Sequence, residues 1–148
     1  MIISSKIQTF EALSINELYA ILQLRNEVFI VEQNCPYLDL DDSDQECHHI
    51  SIYDNDVLVA YSRVFKPGDK YTEACISRVI SRQAYRKLGL GKTIVQAAID
   101  FIHSEWNFAP IKISAQLYLQ KFYESFGFEV VSETYLEDNI PHIAMLKK

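Results

Sequence analysis

The fold class of this chain is decided by the stretch Ser81-Arg82-Gln83-Ala84-Tyr85-Arg86-Lys87-Leu88-Gly89-Leu90-Gly91-Lys92. It follows a short apolar run and leads into a segment with helical periodicity, so it predicts a strand, a cationic turn and the start of a helix. Gly89 and Gly91 allow backbone angles that other residues avoid, and amides at a helix start carry partial positive charge. The stretch therefore predicts a site for an anion such as a phosphate.

The local charge supports this interpretation. The 148-residue chain has a net charge of −6, yet it contains no Asp or Glu between Glu73 and Asp100. That interval holds the cations Arg78, Arg82, Arg86, Lys87 and Lys92. A glycine-containing turn also serves simply to pack a helix on a strand, so the pattern leaves that alternative open. The spacing lacks the third glycine of a dinucleotide fingerprint and the earlier glycine of a Walker loop.

Composition limits the classes of protein to consider. With 49% hydrophobic and 12% aromatic residues, a chain of this length suits one domain over residues 1–148. We expect a cytosolic protein without a membrane partner, because no apolar stretch approaches a membrane span and the first residues lack a signal-peptide pattern. The three cysteines favour reduced thiols over a disulfide framework. A pI near 5.1 disfavours nucleic acid and favours a cationic small molecule as partner.

Periodicity and turn signals predict a mixed α/β architecture. Ser14-Ile15-Asn16-Glu17 has the pattern of a capping box, ahead of an apolar stripe that continues to Phe29. Further helices are predicted at 91–105 and 117–125, and strands at 2–9, 48–53, 57–65, 73–80, 111–115, 129–135 and 142–147. Strands first and alternating helices and strands afterwards are typical of a mixed α/β layer rather than a doubly wound sheet.

Two motifs resemble those of the GNAT superfamily of acyl-CoA-dependent N-acetyltransferases. They are Arg86-x-x-Gly89-x-Gly91 after a strand and, some thirty residues later, Phe122-Tyr123-x-x-x-Gly127-Phe128. Three further segments resemble the ElaA-like branch, namely Leu18-Tyr19-x-x-Leu22-Gln23-Leu24-Arg25, Val28-Phe29-x-Val31-Glu32-Gln33-Asn34-Cys35-Pro36-Tyr37 and Glu137-Asp138-x-Ile140-Pro141-His142. The resemblance covers nearly the whole chain. It implies a GNAT-like fold, with a mostly antiparallel mixed sheet flanked by helices and splayed between its fourth and fifth strands.

The resemblance also implies how an acyl donor is held in that gap. Acetyl-CoA is the expected cosubstrate, with no metal. Backbone amides from Leu88 to Lys92, with Arg86 beside them, would take the pyrophosphate. Strand-edge amides at Val79 and Ile80 would bond the pantetheine, and Gln116 would add a polar contact. The expected cofactor-binding residues are Arg78, Val79, Ile80, Arg86, Lys87, Leu88, Gly89, Leu90, Gly91, Lys92 and Gln116.

Tyr123 is the candidate catalytic residue, because GNAT enzymes commonly place a tyrosine there to protonate the coenzyme thiolate. A phenol is suited to donate a proton to a thiolate of similar basicity. The chain has nine tyrosines, and one on an amphipathic helix is ordinarily a packing residue. Without the resemblance, the sequence leaves that second reading open.

The sequence does not identify a general base, because the predicted fourth strand has no carboxylate after Glu73. The remaining candidates are Glu32, Glu46, His48 and His49, each of which also has a structural interpretation. Arg25 and Arg78 interrupt apolar patterns and are predicted to pair with Glu32 or another carboxylate.

Two other clusters invite a functional interpretation. The segment from Asp39 to Glu46 holds five acidic residues but lacks the glycine and distal glutamate of a calcium loop. We expect a solvated loop, with attraction of an amine substrate as the alternative. Zinc ligation by Cys35, Cys47, His48, His49 and His142 fits no standard spacing. Cys35 as an acyl-accepting nucleophile is also disfavoured, because no neighbour in sequence would activate it.

Taken together, the sequence predicts an N-acetyltransferase that moves an acetyl group from acetyl-CoA to a primary amine of an unidentified small molecule in a ternary complex. The alternative is a non-catalytic acyl-CoA-binding sensor or interaction module on the same scaffold. A homodimer is left open.

Overall fold

A computed structural model describes residues 1–148 and contains one eight-stranded sheet flanked by helices. The strands are β1 (Ile3–Thr9), β2 (His48–Asp54), β3 (Val57–Phe65), β4 (Ala74–Ser81), β5 (Ile111–Gln116), β6 (Glu129–Val130), β7 (Tyr135–Glu137) and β8 (Ile140–Lys147). The α-helices are α1 (Ile15–Arg25), α2 (Leu90–Glu105) and α3 (Gln120–Glu124). The sheet order is β1-β2-β3-β4-β5-β8-β6, with β7 also paired to β8. The predicted mixed α/β layer is confirmed.

The sheet splits between β4 and β5, its one parallel pair. These strands pair only at Ala74↔Ile111 and Cys75↔Lys112, after which β4 continues to Ser81 without β5 beside it. On its other side β5 pairs with β8 along its whole length. One edge of β4 from residue 76 onward is therefore unpaired, which offers backbone donors and acceptors to a ligand. The predicted splay between the fourth and fifth strands is confirmed.

A bulge at Arg78 bends the unpaired part of β4. The register with β3 shifts so that Ser77 faces Arg63 while Ile80 faces Tyr61, and Arg78 has a φ of +53°. Positive φ is uncommon for a residue with a long side chain and is kept where surrounding contacts hold it. Bulges re-aim side chains and are common beside active sites.

Apolar clusters cover both faces of the sheet. The larger cluster contains the inner face of α2, with Ile94, Ala98 and Ile102, and alternate residues of β5 and β8. A smaller cluster joins α1 and the turn after it to Leu58, Tyr61 and Ile80. Because side chains alternate along a strand, Ser114 and Gln116 of β5 and His142 of β8 point to the opposite, α1 face. None of the helices combines the length and apolarity needed to cross a bilayer.

Several predicted elements have different bounds. The first helix begins with the predicted capping box at Ser14 and Glu17, but residues 26–32 continue it as a π-helical turn. The last predicted helix is a 3₁₀ turn at 117–119 followed by α3. It ends as predicted at Gly127, whose φ is +91°; the Gly127 amide donates to Glu124 and the Phe128 amide to Tyr123. This pattern is a Schellman motif.

The prediction of one continuous strand at 129–135 is wrong. Residues 129–130 form β6, and a separate hairpin joins β7 to β8 through Asp138 and Asn139. Both turn residues have positive φ, at 50° and 63°, as a type I′ turn requires. Asp and Asn tolerate this conformation, which explains why the hairpin forms without glycine.

Candidate active site

A cleft of about 880 Å³ opens where β4 and β5 separate. One wall is the β4 segment 76–81 and the other is the β5 segment 113–116. The π-helical turn and residues 37–41 close it on the α1 face, the β7–β8 hairpin closes a further side, and residues 118–123 close the α2 face. Of the residues predicted to contact a cofactor, Arg78, Val79, Ile80, Arg86, Gly91 and Gln116 line this cleft.

Tyr123 lines the cleft from α3 and is largely buried. Its ring packs edge-on against Phe122 and Phe128. Burial raises the pKa of the Tyr123 hydroxyl above its usual value, with a smaller contribution from Tyr118 and none from a hydrogen bond. The phenol is therefore held protonated, and burial also makes it a weaker acid than an exposed tyrosine.

The glycine-containing turn has a different backbone from the predicted one. Residues Gln83–Leu88 form a 3₁₀ helix, and Gly89, with φ +75°, is the N-cap of α2. Gly91 is inside α2, and a Cβ built there would meet Phe122 at an ordinary 3.8 Å. The expectation that both glycines have unusual backbone angles is therefore wrong for Gly91.

The remaining predicted anion contacts lie around the first turn of α2. Lys87, Leu88, Gly89 and Lys92 are exposed outside the cleft lining, while Leu90 is buried in the larger core cluster. The first amides of a helix have no intrahelical partner, and Gly91 of this first turn lines the cleft. The anion site at the helix start stays a prediction, and the buried Leu90 side chain has no part in it.

Three of the five cations between Glu73 and Asp100 are paired with acids from elsewhere in the chain. Arg82 contacts Glu27 at 3.0 Å, and Arg86 contacts Glu32 at 2.6 Å. The third, Arg78, contacts Asp39 at 2.7 Å. These three arginines are therefore paired with acids, although no acid lies near them in the sequence.

The segment 39–46 is not the solvated loop that was expected. Asp39 and Asp44 are buried, and both accept hydrogen bonds from the fully buried Arg25, at 2.8 and 2.7 Å. Arg78 also bonds Asp39. The prediction that Arg25 and Arg78 pair with a carboxylate is confirmed, but that carboxylate is not Glu32.

Arg63 completes this buried ion-pair network and was missed in the sequence. It donates to both carboxylate oxygens of Asp41, at 2.8 and 2.9 Å, and to Asp44 at 2.9 Å. Burial opposes ionisation of Asp41 and Asp44, but the arginines more than offset it and hold the pKa of both carboxyls below their usual range. A lone arginine inside the apolar run Val57–Phe65 was the signal for an inward-facing charge.

The proposed bases are mostly occupied elsewhere. His49 is buried in β2, bonded to the Tyr61 hydroxyl at 2.6 Å and the Asp44 carbonyl at 2.8 Å. His48 packs against Phe101 and Trp106. Glu46 is exposed outside the cleft, and Glu32 lines the cleft but is paired with Arg86.

A second set of titratable groups lines the α1 side of the cleft. His142 Nδ1 is 2.7 Å from the Ile140 carbonyl, and its Nε2 is 3.5 Å from Glu137. Ser114 donates to Glu137 at 3.2 Å and shares a 2.5 Å hydrogen bond with the Tyr135 hydroxyl. Glu137 and His142 belong to the family motif Glu137-Asp138-x-Ile140-Pro141-His142, from which no role in the reaction was predicted for either.

Gln116 lies at the end of β5, as predicted, but its amide is paired. It exchanges two hydrogen bonds with the Gln33 amide across the cleft, at 3.2 and 3.4 Å. Gln33 follows the π-helical turn, so this contact joins the α1 face to β5. A ligand passing here would displace or replace these bonds.

The cysteines and histidines considered for zinc do not form a ligand cluster. No group of three or more His, Cys, Asp or Glu side chains is arranged to hold a metal ion. All three cysteines are free, and Cys35 Sγ contacts the Asp138 carbonyl at 3.1 Å.

Comparisons with known proteins agree with this geometry. A family model described as "Acetyltransferase (GNAT) domain" matches residues 17–148. Protein ElaA of Escherichia coli (strain K12) is 44% identical over 138 residues, covering 92% of this chain and 90% of ElaA. The chain therefore belongs to the GNAT acetyltransferase family, as its motifs predicted.

Solved structures support the same assignment. The crystal structure of Escherichia coli ElaA has a TM-score of 0.92 and 41% identity, covering 99% of this chain and 100% of ElaA. An acyl-CoA N-acyltransferase from Pseudomonas aeruginosa has a TM-score of 0.94 and 39% identity over 99% of each chain. An aminoglycoside 6′-N-acetyltransferase, solved complexed with coenzyme A, shares the fold alone, with a TM-score of 0.70, 18% identity and 96% of each chain covered.

Proposed function

We propose that this protein transfers an acetyl group from acetyl-CoA to a primary amine of a small molecule, by direct attack in a ternary complex. The observation that carries the proposal is the cleft between β4 and β5, which joins an unpaired strand edge, a helix start and a buried tyrosine. Membership of the GNAT acetyltransferase family supports this reading.

Each part of the cleft suits one part of the donor. The helix start at residues 89–92 would hold the pyrophosphate, because its amides point outward with partial positive charge. The unpaired edge at Val79 and Ile80 would bond the pantetheine amides as an added strand does. Tyr123 would protonate the departing thiolate. A distant relative of the same fold was solved complexed with coenzyme A.

Arg86 requires an exchange of partners in this scheme. It is bonded to Glu32 at 2.6 Å, and both side chains line the cleft. This pair is partly exposed, so it contributes little and gives way readily to a phosphate. The pyrophosphate would thus replace the Glu32 carboxylate as the anion beside Arg86.

Two measurements on the wild-type protein test the proposal. Titration calorimetry with acetyl-CoA tests donor binding, and thiol release tests transfer to polyamines, aminoglycosides, amino acids and peptides. We expect micromolar binding and thiol release with at least one primary amine, beyond the rate with water. Tight binding without transfer to any amine would favour the acyl-CoA sensor instead, and absence of binding would overturn both functions.

A further inference from the structure

We propose that His142 is the general base for the acceptor amine and that Glu137 holds the ammonium group of that amine against it. The proposal rests on the transferase function above and adds the acceptor site. It identifies the acceptor as a cationic primary amine that enters the cleft from the α1 face.

The hydrogen bond of His142 sets which ring nitrogen acts as a donor. The Ile140 carbonyl can only accept, so the Nδ1 atom 2.7 Å away carries a proton and donates it. In the neutral ring, Nε2 then has a free lone pair. The side chain is buried to 6% exposure but lines the cleft, so this lone pair is held in one direction.

Glu137 faces the same nitrogen. Its carboxylate lies 3.5 Å from Nε2 and makes no ion pair with an arginine or lysine, whereas Glu32 and Asp41 in the cleft lining do. Ser114, itself bonded to Tyr135, donates to the carboxylate and fixes its position. In the neutral Nδ1–H form of the ring, Nε2 and the carboxylate are two acceptors side by side, and an ammonium with three N–H bonds can satisfy both.

The sheet places this pair opposite the candidate acid. Ile143 and Met145 of β8 belong to the larger core cluster with Tyr123 and α2. His142 precedes them on the other side of the strand, facing Gln116 across the β5–β8 ladder. An acyl group between β4 and β5 would thus have the base on its α1 side and Tyr123 on its α2 side, which suits attack and departure from opposite faces.

The proton transfers balance in the following sequence. The ammonium gives one proton to Nε2 of His142, and the freed nitrogen lone pair attacks the thioester carbonyl carbon of acetyl-CoA. The carbon–sulfur bond breaks, and the thiolate takes the Tyr123 hydroxyl proton. The second proton of the attacking nitrogen returns to the phenolate oxygen, and the imidazolium, stabilised by Glu137, releases its proton to water.

The first test observes the histidine ring directly and needs no turnover. Two-bond proton–nitrogen NMR spectra, with His142 assigned from His142→Gln, report which ring nitrogen carries the proton. We expect the Nδ1–H form and a shift of Nε2 when propylammonium chloride is added, weakened at least fivefold in Glu137→Gln. An Nε2–H ring, or a ring unaffected by propylammonium with coenzyme A bound, overturns the proposal.

The second test separates the base from the transferase function. With the amine selected by the thiol-release panel, His142→Gln should lower kcat about 10²-fold or more while acetyl-CoA affinity stays unchanged. The loss should shrink as pH rises toward the pKa of the amine, because the acceptor then arrives deprotonated. Glu137→Gln should mainly raise the KM of the amine. The charged or titratable groups facing His142 are Glu137 and Tyr135, and Asp138 lines the same cleft.

The control is His103→Gln, on α2 and outside the cleft, which should leave both constants unchanged. Full activity in His142→Gln overturns the base assignment while leaving the transferase function intact. A wild-type protein that acetylates no amine overturns the transferase function and the base together. The NMR shift of His142 Nε2 on adding propylammonium still shows whether an amine binds there.

Discussion

Tyr123 is the side chain proposed to protonate the leaving thiolate. It combines burial against Phe122 and Phe128 with a position in the cleft lining. A packing residue and a general acid would both make these contacts. The two roles differ in whether the hydroxyl donates a proton during the reaction. The hydroxyl has no hydrogen-bond contribution from a neighbour, so its removal leaves no protein group unpaired.

Tyr123→Phe should therefore lower kcat about 10²-fold, because the thiolate would leave without a proton donor. Acetyl-CoA affinity and the free energy of unfolding should change little. Steady-state kinetics, calorimetry and thermal melts check these three quantities. Tyr19→Phe, on the exposed part of α1, is the matched control. A kcat within twofold of wild type in Tyr123→Phe would show that Tyr123 is a packing residue and not the general acid.

Arg86 and Glu32 form a pair whose two members should affect donor binding in opposite directions. Arg86→Ala should weaken acetyl-CoA binding by about 1–3 kcal/mol if the guanidinium meets a phosphate. Glu32→Gln should leave binding unchanged or strengthen it, since Arg86 would no longer exchange one anion for another. Calorimetry at fixed ionic strength compares them. Equal affinity in Arg86→Ala and wild type would remove Arg86 from the pyrophosphate site.

The start of α2 is the element proposed to carry the anion site, and its two glycines differ in backbone geometry. Gly89 occupies the left-handed region as N-cap, while Gly91 has ordinary helical geometry. A side chain at Gly89 has open space but strains the backbone. A side chain at Gly91 fits the helix and lies at the cleft wall beside Phe122.

Gly89→Ala should destabilise the protein by about 1–2 kcal/mol, because Ala disfavours positive φ. Gly91→Ala should be neutral or stabilising by up to about 1 kcal/mol, because Ala is the better helix former, yet it should weaken acetyl-CoA binding. Thermal melts and calorimetry on both variants separate the two roles. Undiminished affinity in Gly91→Ala would show that the donor does not approach the backbone at Gly91.

The buried network of Arg25, Arg63 and Arg78 with the acidic segment ties the α1 face to the sheet across the whole molecule. Asp44 accepts from both Arg25 and Arg63, whereas its neighbour Asp42 is exposed with a φ of +63°. Removing one member of a buried ion-pair network leaves charge uncompensated. Residues 39–46 therefore stabilise the contact between the α1 face and the sheet, and they also border the cleft.

Asp44→Asn should cost about 3 kcal/mol of unfolding free energy at neutral pH, whereas Asp42→Asn should stay within about 0.5 kcal/mol. The arginines lower the pKa of Asp41 and Asp44, so their stabilisation is present above the usual aspartate pKa and is lost as pH falls below about 4. Denaturant unfolding between pH 2 and pH 7 measures both effects.

In wild type and Asp42→Asn, stability should fall steeply in that acidic range. Asp44→Asn should begin lower and fall less, because one of the titrating groups is gone. Identical pH slopes in the two variants would show that Asp44 does not carry the acid sensitivity.

Sequence alone predicted the mixed α/β layer, the capping box, a helix from Gly91, one residue after the observed start of α2, and the glycine cap at Gly127 beyond α3. These features depend on local chemistry: side-chain caps, glycine angles and apolar periodicity act within a few residues. Family motifs predicted that Arg86, Gly91 and Tyr123 share one site, and the position of Gln116 after the fifth strand predicted that it lies there too; all four line the cleft. The hairpin at Asp138 was missed because Asp and Asn can take positive φ without marking it as glycine does.

The folded chain was needed for everything that depends on partners distant in sequence. Arg86 meets Glu32 across 54 positions, and Arg78 meets Asp39 across 39. The acidic sequence of residues 39–46 is compatible with a solvated loop and with a buried ion-pair network. Only the assembled sheet and helices determine which of the two forms, because burial depends on tertiary structure. The facing of His142 and Glu137 likewise arises only when β7 and β8 pair beside the opening between β4 and β5, since strand register decides which side chains share a face.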